Sequence, residues 1–161
     1  VYLLITAIMV SFVTAGPPEP LVLVSVSMEM EAEVGPYLQM QTVQGRRSKA
    51  VYYYKKDSKN KSTCIGPCAK KWPPVIIDNQ ALLAAFNKLT DNAEEGWKKR
   101  DFGIIKRPDG KKQITFRGFP LYFYSGDKTP GGATEPSQAI LGHKQNNLWF
   151  LINPKKFPPQ R

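Results

Sequence analysis

Apolar and polar positions alternate strictly over residues 25–34, where Val26, Met28, Met30, Ala32 and Val34 interleave with Ser25, Ser27, Glu29, Glu31 and Glu33. A period of two predicts a half-buried strand whose outer face carries three carboxylates, ended by Gly35-Pro36. Further strands are expected at about 38–43 and 50–54, with Gln44-Gly45-Arg46-Arg47-Ser48 between them as a hairpin turn. The spacing then changes. Leu82, Leu83, Phe86 and Leu89 share one face at helical period, which predicts the one convincing helix over 79–89, capped by Asp78 or Asn79. Residues 102–106 and 112–116 face each other across Arg107-Pro108-Asp109-Gly110-Lys111, whose Pro-Asp-Gly is hairpin turn chemistry. Gly118 and Pro120 interrupt that run before 121–124 resumes it, and 148–152 is the last strand. The pattern predicts a mainly β fold with one short helix, with α+β as the neighbouring class.

The chain also repeats itself. Tyr52, Tyr54 and Asp57 follow the pattern Tyr-x-Tyr-x-x-Asp, and so do Tyr122, Tyr124 and Asp127. Each copy leads to a tryptophan that opens an apolar run, Trp72 and Trp149, at 15 and 22 residues beyond its aspartate. Two related strand units are therefore expected in one domain, the second with a longer Gly/Pro-rich loop where the first has its cysteines. In a strand, Tyr52 and Tyr54 share a face, as do Tyr122 and Tyr124, so each pair places large rings on one side of a sheet. Asp57 and Asp127 fall just past the strand ends, where a carboxylate accepts N–H bonds in the turn. A repeated strand-turn unit with an aromatic core is the favoured reading. An aromatic and carboxylate surface for sugar, or a glycosidase pair of aspartates, explains the repetition less simply.

Tyr52, Tyr54 and Asp57, then CIGPCAKKWPPV from Cys64, then RPDGKKQITFRGFPLYFYSGD from Arg107, then LWFLINP from Leu148 together resemble the secreted repeat proteins and predicted lipoproteins named for a Tyr-x-(Phe/Trp/Tyr)-x-x-Asp motif. The resemblance covers about residues 50–154 and leaves 16–49 outside it. It implies an exported, envelope-associated domain of mostly β structure in a family largely without an assigned activity. This chain departs from many members in having no lipid-attachment cysteine after its apolar N-terminal run.

That run, residues 1–15, is uncharged, ends in Val13-Thr14-Ala15 and is followed by a proline cluster; it reads as a secretory signal whose basic start is missing. The expected organisation is a signal-like segment at 1–15, an extended arm with an amphipathic strand at 16–45, and a β-rich domain at 46–161. At 161 residues the chain is about the size of one domain and long enough to bury a core. Charge separates the parts: residues 1–45 hold four Glu and no Lys or Arg, while 46–161 hold all 23 Lys and Arg with the other 9 acids. A basic body favours anionic partners such as a cell-wall polymer, a lipid surface or an acidic protein face. No nucleic-acid-binding motif accompanies it, so nucleic acid is not expected.

Cys64 and Cys68 enclose Ile65-Gly66-Pro67, and Trp72-Pro73-Pro74 can pin that loop to a sheet. In an exported chain a local disulfide staple is favoured. A redox centre would draw on Lys70 and Lys71 to lower a thiolate pKa, but it lacks the Cys-x-x-Cys spacing. A copper site would add His143, the sole histidine, to the two thiolates. No nucleophile and base pair, phosphate-cradling loop or zinc-protease helix emerges, so neither catalysis nor a cofactor is expected. The sequence points to a non-enzymatic exported protein at the periplasm or outer-membrane periphery, an accessory or structural subunit of an envelope assembly such as a secretion apparatus. Residues 21–34 and the basic body would contact other envelope proteins. A periplasmic copper-binding module and a cell-wall polymer binder are the alternatives.

Overall fold

Two antiparallel meanders carry the fold. A computed structural model of the chain describes residues 24–26, 33–41, 48–128 and 140–158. In the first meander Val24–Val26 (β1), Leu38–Gln41 (β2) and Ser48–Ala50 (β3) pair in sequence order, with Val24 opposite Met40, Val26 opposite Leu38 and Gln39 opposite Ala50. Tyr52–Tyr54 (β4) leaves that sheet to pair with Trp149–Leu151 (β8). In the second, Phe102–Lys106 (β5), Lys112–Phe116 (β6) and Phe119–Pro120 (β7) repeat the order of the first, with Phe102 opposite Phe116, Ile104 opposite Ile114 and Thr115 opposite Pro120. Two helices stand between them, the short Pro67–Lys71 (α1) and Gln80–Asn87 (α2). The chain is mainly β, built from two related units as its repetition implies.

The correspondence between the units reaches the backbone. Leu38 donates its N–H to Ile152 O (2.8 Å) and accepts from Val51 N–H (3.2 Å); Ile114 donates to Val75 O (3.0 Å) and accepts from Leu121 N–H (3.0 Å). Leu38 and Ile114 thus play one role twice, as do Met40 and Phe116, both fully buried. The first unit therefore reaches back to β1, and the boundary expected at residue 45 runs through the β2–β3 hairpin. Leu38 and Met40 at 0 % exposure are as deep in the core as any residue of the second unit.

Several expected elements differ in detail. The predicted β5–β6 hairpin has the observed bounds, and Gly110 supplies the φ of +81° that its turn requires. The helix is capped by Asn79, whose Oδ1 accepts Leu82 N–H at 2.8 Å, and it buries Leu82 and Phe86. The strand expected over 50–54 is broken at Val51, whose N–H turns to Leu38, so β3 and β4 belong to different sheets. Residues 121–124 form no continuous ladder; Tyr122 bridges to both Tyr52 and Pro74. Of the long alternating strand, Val24–Val26 is strand and Glu33 and Val34 lie in a turn, Glu33 pairing with Lys144. The segment 1–15, residues 27–32 and most of the expected turn at 44–48 lie outside the described residues.

Arg117 closes the structure at one end. Its Nη1 donates to the Pro154 carbonyl (2.7 Å) and to that of Phe157, and its Nη2 to Gly96 O (3.1 Å) and Asp101 Oδ2 (3.2 Å). One guanidinium ties the C-terminal segment to the β5–β6–β7 sheet, satisfying carbonyls that burial would otherwise leave unpaired.

Because β2 is core, Met40→Ala should lower unfolding free energy by about 2–5 kcal/mol, while Ile104→Ala on the exposed side of β5 should cost well under half as much. Urea titration of both variants checks this. Equal, small losses would return 24–41 to the status of a detachable arm.

Candidate functional site

The repeated motifs meet at the centre of the molecule. Trp72 and Trp149 stack with ring centroids 3.9 Å apart and planes 3° from parallel. Tyr54 stacks on the outer face of Trp149 (4.2 Å), and Tyr124 lies on the outer face of Trp72 (4.3 Å), which makes a four-ring column with the two tryptophans inside. Tyr52 meets Trp72 edge-on at 5.5 Å and Tyr122 meets Trp149 edge-on at 5.1 Å. Each unit's first tyrosine therefore supports its own tryptophan, and its second caps the other unit's. Such ring pairs are worth about 0.5–1.5 kcal/mol each beyond the area they bury.

The polar groups are exchanged in the same way. Tyr52 donates its hydroxyl to Asp127 Oδ2 (2.7 Å), and Tyr122 donates to Asp57 Oδ2 (2.6 Å). Asp57 Oδ1 accepts Thr63 N–H and Oγ1–H, both at 2.7 Å, and Asp127 Oδ1 accepts Leu141 N–H at 2.7 Å. The main chain completes the exchange, with Tyr52 N–H to Tyr122 O (2.8 Å) and Tyr122 N–H to Tyr52 O (3.0 Å). Lys55 N–H to Leu148 O (2.9 Å) has its counterpart in Ser125 N–H to Lys71 O (3.0 Å). The N–H groups that each aspartate accepts come from further along the chain than the turn expected, from Thr63 six residues on and from Leu141 fourteen residues on. The second oxygen of each aspartate serves a tyrosine of the other unit, and nothing in a linear motif announces that.

Electrostatics follow the burial. Loss of water, then the neighbouring Asp127, raises the Tyr52 phenol well above the usual range, and Tyr122 is raised by burial and by Asp57. Both remain protonated donors under ordinary conditions. Burial also holds the Asp127 carboxyl above its ordinary value, although the Tyr52 hydroxyl and the Leu141 and Gly142 N–H groups pull it down. Gly142 passes so close to the Tyr52 ring that a Cβ there would sit 2.6 Å from Cζ, and only glycine fits.

The cysteines are joined. Cys64 and Cys68 form a disulfide with Cα atoms 5.2 Å apart, and Cys64 is buried beside the aromatic cluster. This is the expected staple, and it withdraws both thiols from a copper set. His143 does not complete one either: it is half-buried, its Nδ1 accepts Leu151 N–H at 3.1 Å, and its ring meets Phe150 edge-on. Among the described residues no three His, Cys, Asp or Glu side chains gather as a metal site. Four of the motif aromatics, Tyr52, Tyr122, Trp72 and Trp149, are at most 3 % exposed and present no face to a sugar, while Tyr54 and Tyr124 at the two ends of the column are half-buried.

Sequence reasoning missed a second buried network. Arg107, in the turn between β5 and β6, donates from Nη1 to Ser62 Oγ (2.8 Å) and Gln113 Oε1 (2.6 Å), and from Nη2 to Cys64 O (2.9 Å). Ser62 Oγ shares a hydrogen bond with Tyr122 Oη (2.7 Å), so two hydroxyls link the guanidinium to Asp57. Gln113 Nε2 also donates to Leu121 O (2.7 Å). An arginine in a Pro-Asp-Gly turn reads as a solvated charge. Gln113 stands between Lys112 and Ile114, so nothing in the strand pattern announced its burial or the partner that burial requires.

With this geometry in place, the comparison with known families is direct. A family model described as a secreted repeat of unknown function matches residues 41–76 and 103–136. The chain thus carries two matches to that repeat, and the description of the family as secreted supports export. No curated protein and no solved structure matches it. No helix among the described residues is long and apolar enough to cross a membrane.

Tyr52→Phe leaves Asp127 short of a buried donor and should cost roughly 1–3 kcal/mol. A double-mutant cycle of Tyr52→Phe with Asp127→Asn should give a coupling above about 0.5 kcal/mol, and with Asp57→Asn a smaller one. The reverse ranking would contradict the cross-unit exchange. The raised carboxyl of Asp127 means that the folded chain binds this proton more tightly than the unfolded chain. Its contribution is therefore present below the ordinary aspartate pKa and lost as pH rises through the raised folded value. Asp127→Asn should flatten stability against pH in that window; an unchanged slope would mean that another group sets it.

Proposed function

We propose that this protein is a non-enzymatic scaffold, a structural or accessory subunit of a cell-envelope assembly at the periplasm or outer-membrane periphery, of which a secretion apparatus is one example. The observation that carries the reading is the employment of its reactive groups. Asp57, Asp127, Tyr52 and Tyr122 are hydrogen-bonded to one another across the two units, and the cysteines are oxidised. Groups so committed to holding a fold lack the open approach that acid–base or nucleophilic chemistry needs.

The sheet edges support an assembly role. β1 and β5 are the outer strands of their meanders, and no strand among the described residues pairs with either outer edge. β5 presents Ile104, 37 % exposed, between the lysine of its end and the half-buried Gly103. An edge of this kind accepts a strand from a partner through main-chain hydrogen bonds. Because β1 is built into the sheet, contact through residues 21–34 would use the outer side of that strand in place of a free arm.

Gentle extraction of the envelope without reductant, followed by native sizing, should place the protein in a particle several times its own 18.1 kDa. A photo-crosslinking residue at Ile104 should capture a defined partner from that particle. Migration as a free monomer, with no crosslink from Ile104, would overturn the assembly reading.

A further inference from the structure

We propose that the cleft between residues 60–62 and the outer end of the β5–β6 hairpin is a binding site for a phosphate group. The cleft holds about 320 Å³ and is lined by Asn60, Lys61, Ser62, Ile105, Lys106 and Arg107, with Pro108 at its end. That lining contains three cationic residues and no acid. Lys61 and Lys106 are exposed, one from each wall. Behind them lies the buried guanidinium of Arg107, whose hydrogen-bond acceptors are mostly neutral: Ser62, Gln113 and the Cys64 carbonyl. Its direct carboxylate contact is Asp109 at 3.4 Å, half-exposed, and Asp57 acts on it only through the Ser62 and Tyr122 hydroxyls. The positive potential of the site is therefore weakly compensated from within and adds to the field of a chain with net charge +10.

The walls are also held in place before any ligand arrives. Ser58 pairs with Lys61, Asn60 N–H donates to Gly118 O (2.7 Å), and Asn60 takes the left-handed φ of +59° that asparagine tolerates. Opposite, Arg107 N–H donates to Lys111 O (2.8 Å) and Gly110 N–H to Arg107 O (2.9 Å). Two ammonium groups beside the Asn60 amide match an anion with several equivalent oxygens, and lysine serves phosphate as a point charge. A cleft of this volume takes a phosphate with a small substituent, which a soluble phosphate ester or the headgroup of an envelope lipid would supply. The site adjoins the β5 edge through Ile105 and Lys106, but it draws on side chains there and not on the main-chain groups a partner strand would take, and its test reads phosphate and not assembly.

The test is a titration of the full, isotopically labelled chain with inorganic phosphate, read by amide shifts. Saturable shifts are expected at residues 60–62 and 105–107. The Lys61→Ala, Lys106→Ala double variant, which removes two exposed side chains and leaves the fold intact, should bind about tenfold more weakly or worse, the loss of roughly 1.4 kcal/mol or more. Lys88→Ala, an exposed lysine just beyond α2, should bind as the parent does. Vesicles then separate the sources. Retention on phosphatidylglycerol vesicles that inorganic phosphate competes away assigns the site to a lipid headgroup, and phosphate binding without vesicle retention assigns it to a soluble ester. Shifts spread over every lysine-bearing surface without saturation, or a double variant that binds as well as the parent, would overturn the proposal.

Discussion

The stacking of Trp72 on Trp149 is the contact about which the two units are arranged. Each ring has one face on its counterpart and the other on a tyrosine of the opposite unit, so the two units make matching contacts on either side of the stack. That geometry places Tyr52 within reach of Asp127 and Tyr122 within reach of Asp57. Neither unit can satisfy its own buried carboxylate and phenol. The repeated motif of this chain is therefore the inscription of an interface: tyrosines to build the ring column, an aspartate to receive the other unit's hydroxyl, a tryptophan for the central stack. Unpaired, each of these groups would be buried at a cost comparable to a lost hydrogen bond or more.

The rest of the fold follows from holding that interface together. The two meanders supply the outer layer of the core, with Leu38 and Met40 matched by Ile114 and Phe116. The segment between each aspartate and its tryptophan must span the column and return, and the two units solve this differently. The first uses the disulfide loop and the short helix α1, the second the longer stretch that ends at Ile140, Leu141 and Gly142. A disulfide over so short a loop removes little chain entropy, so its effect is on the local path that carries Thr63 to Asp57 and Cys64 O to Arg107.

Much of this was legible in the residues, and the boundary of legibility has a physical cause. Turn chemistry and helical spacing are local, so the β5–β6 hairpin and α2 could be read off Pro108-Asp109-Gly110 and off Leu82, Leu83, Phe86 and Leu89. Repetition identified the tyrosines, aspartates and tryptophans as one set. Which aspartate serves which tyrosine depends on a contact 75 residues apart for Tyr52 and 65 for Tyr122, and no local preference encodes it. The break at Val51 was hidden because its cause is the carbonyl of Leu38. Arg107 was hidden because Ser62 and Gln113, its buried acceptors, are unremarkable polar residues until the units close around them.

The central claim, that neither unit completes its polar core without the other, is tested most directly by dividing the chain in the exposed segment after α2. Residues 1–90 and 91–161 would be prepared separately and mixed, with near-UV circular dichroism reading the fixed asymmetry of the tryptophans. The account predicts that neither half alone shows the native aromatic signal and that an equimolar mixture recovers it. A native signal from either half by itself would contradict the account.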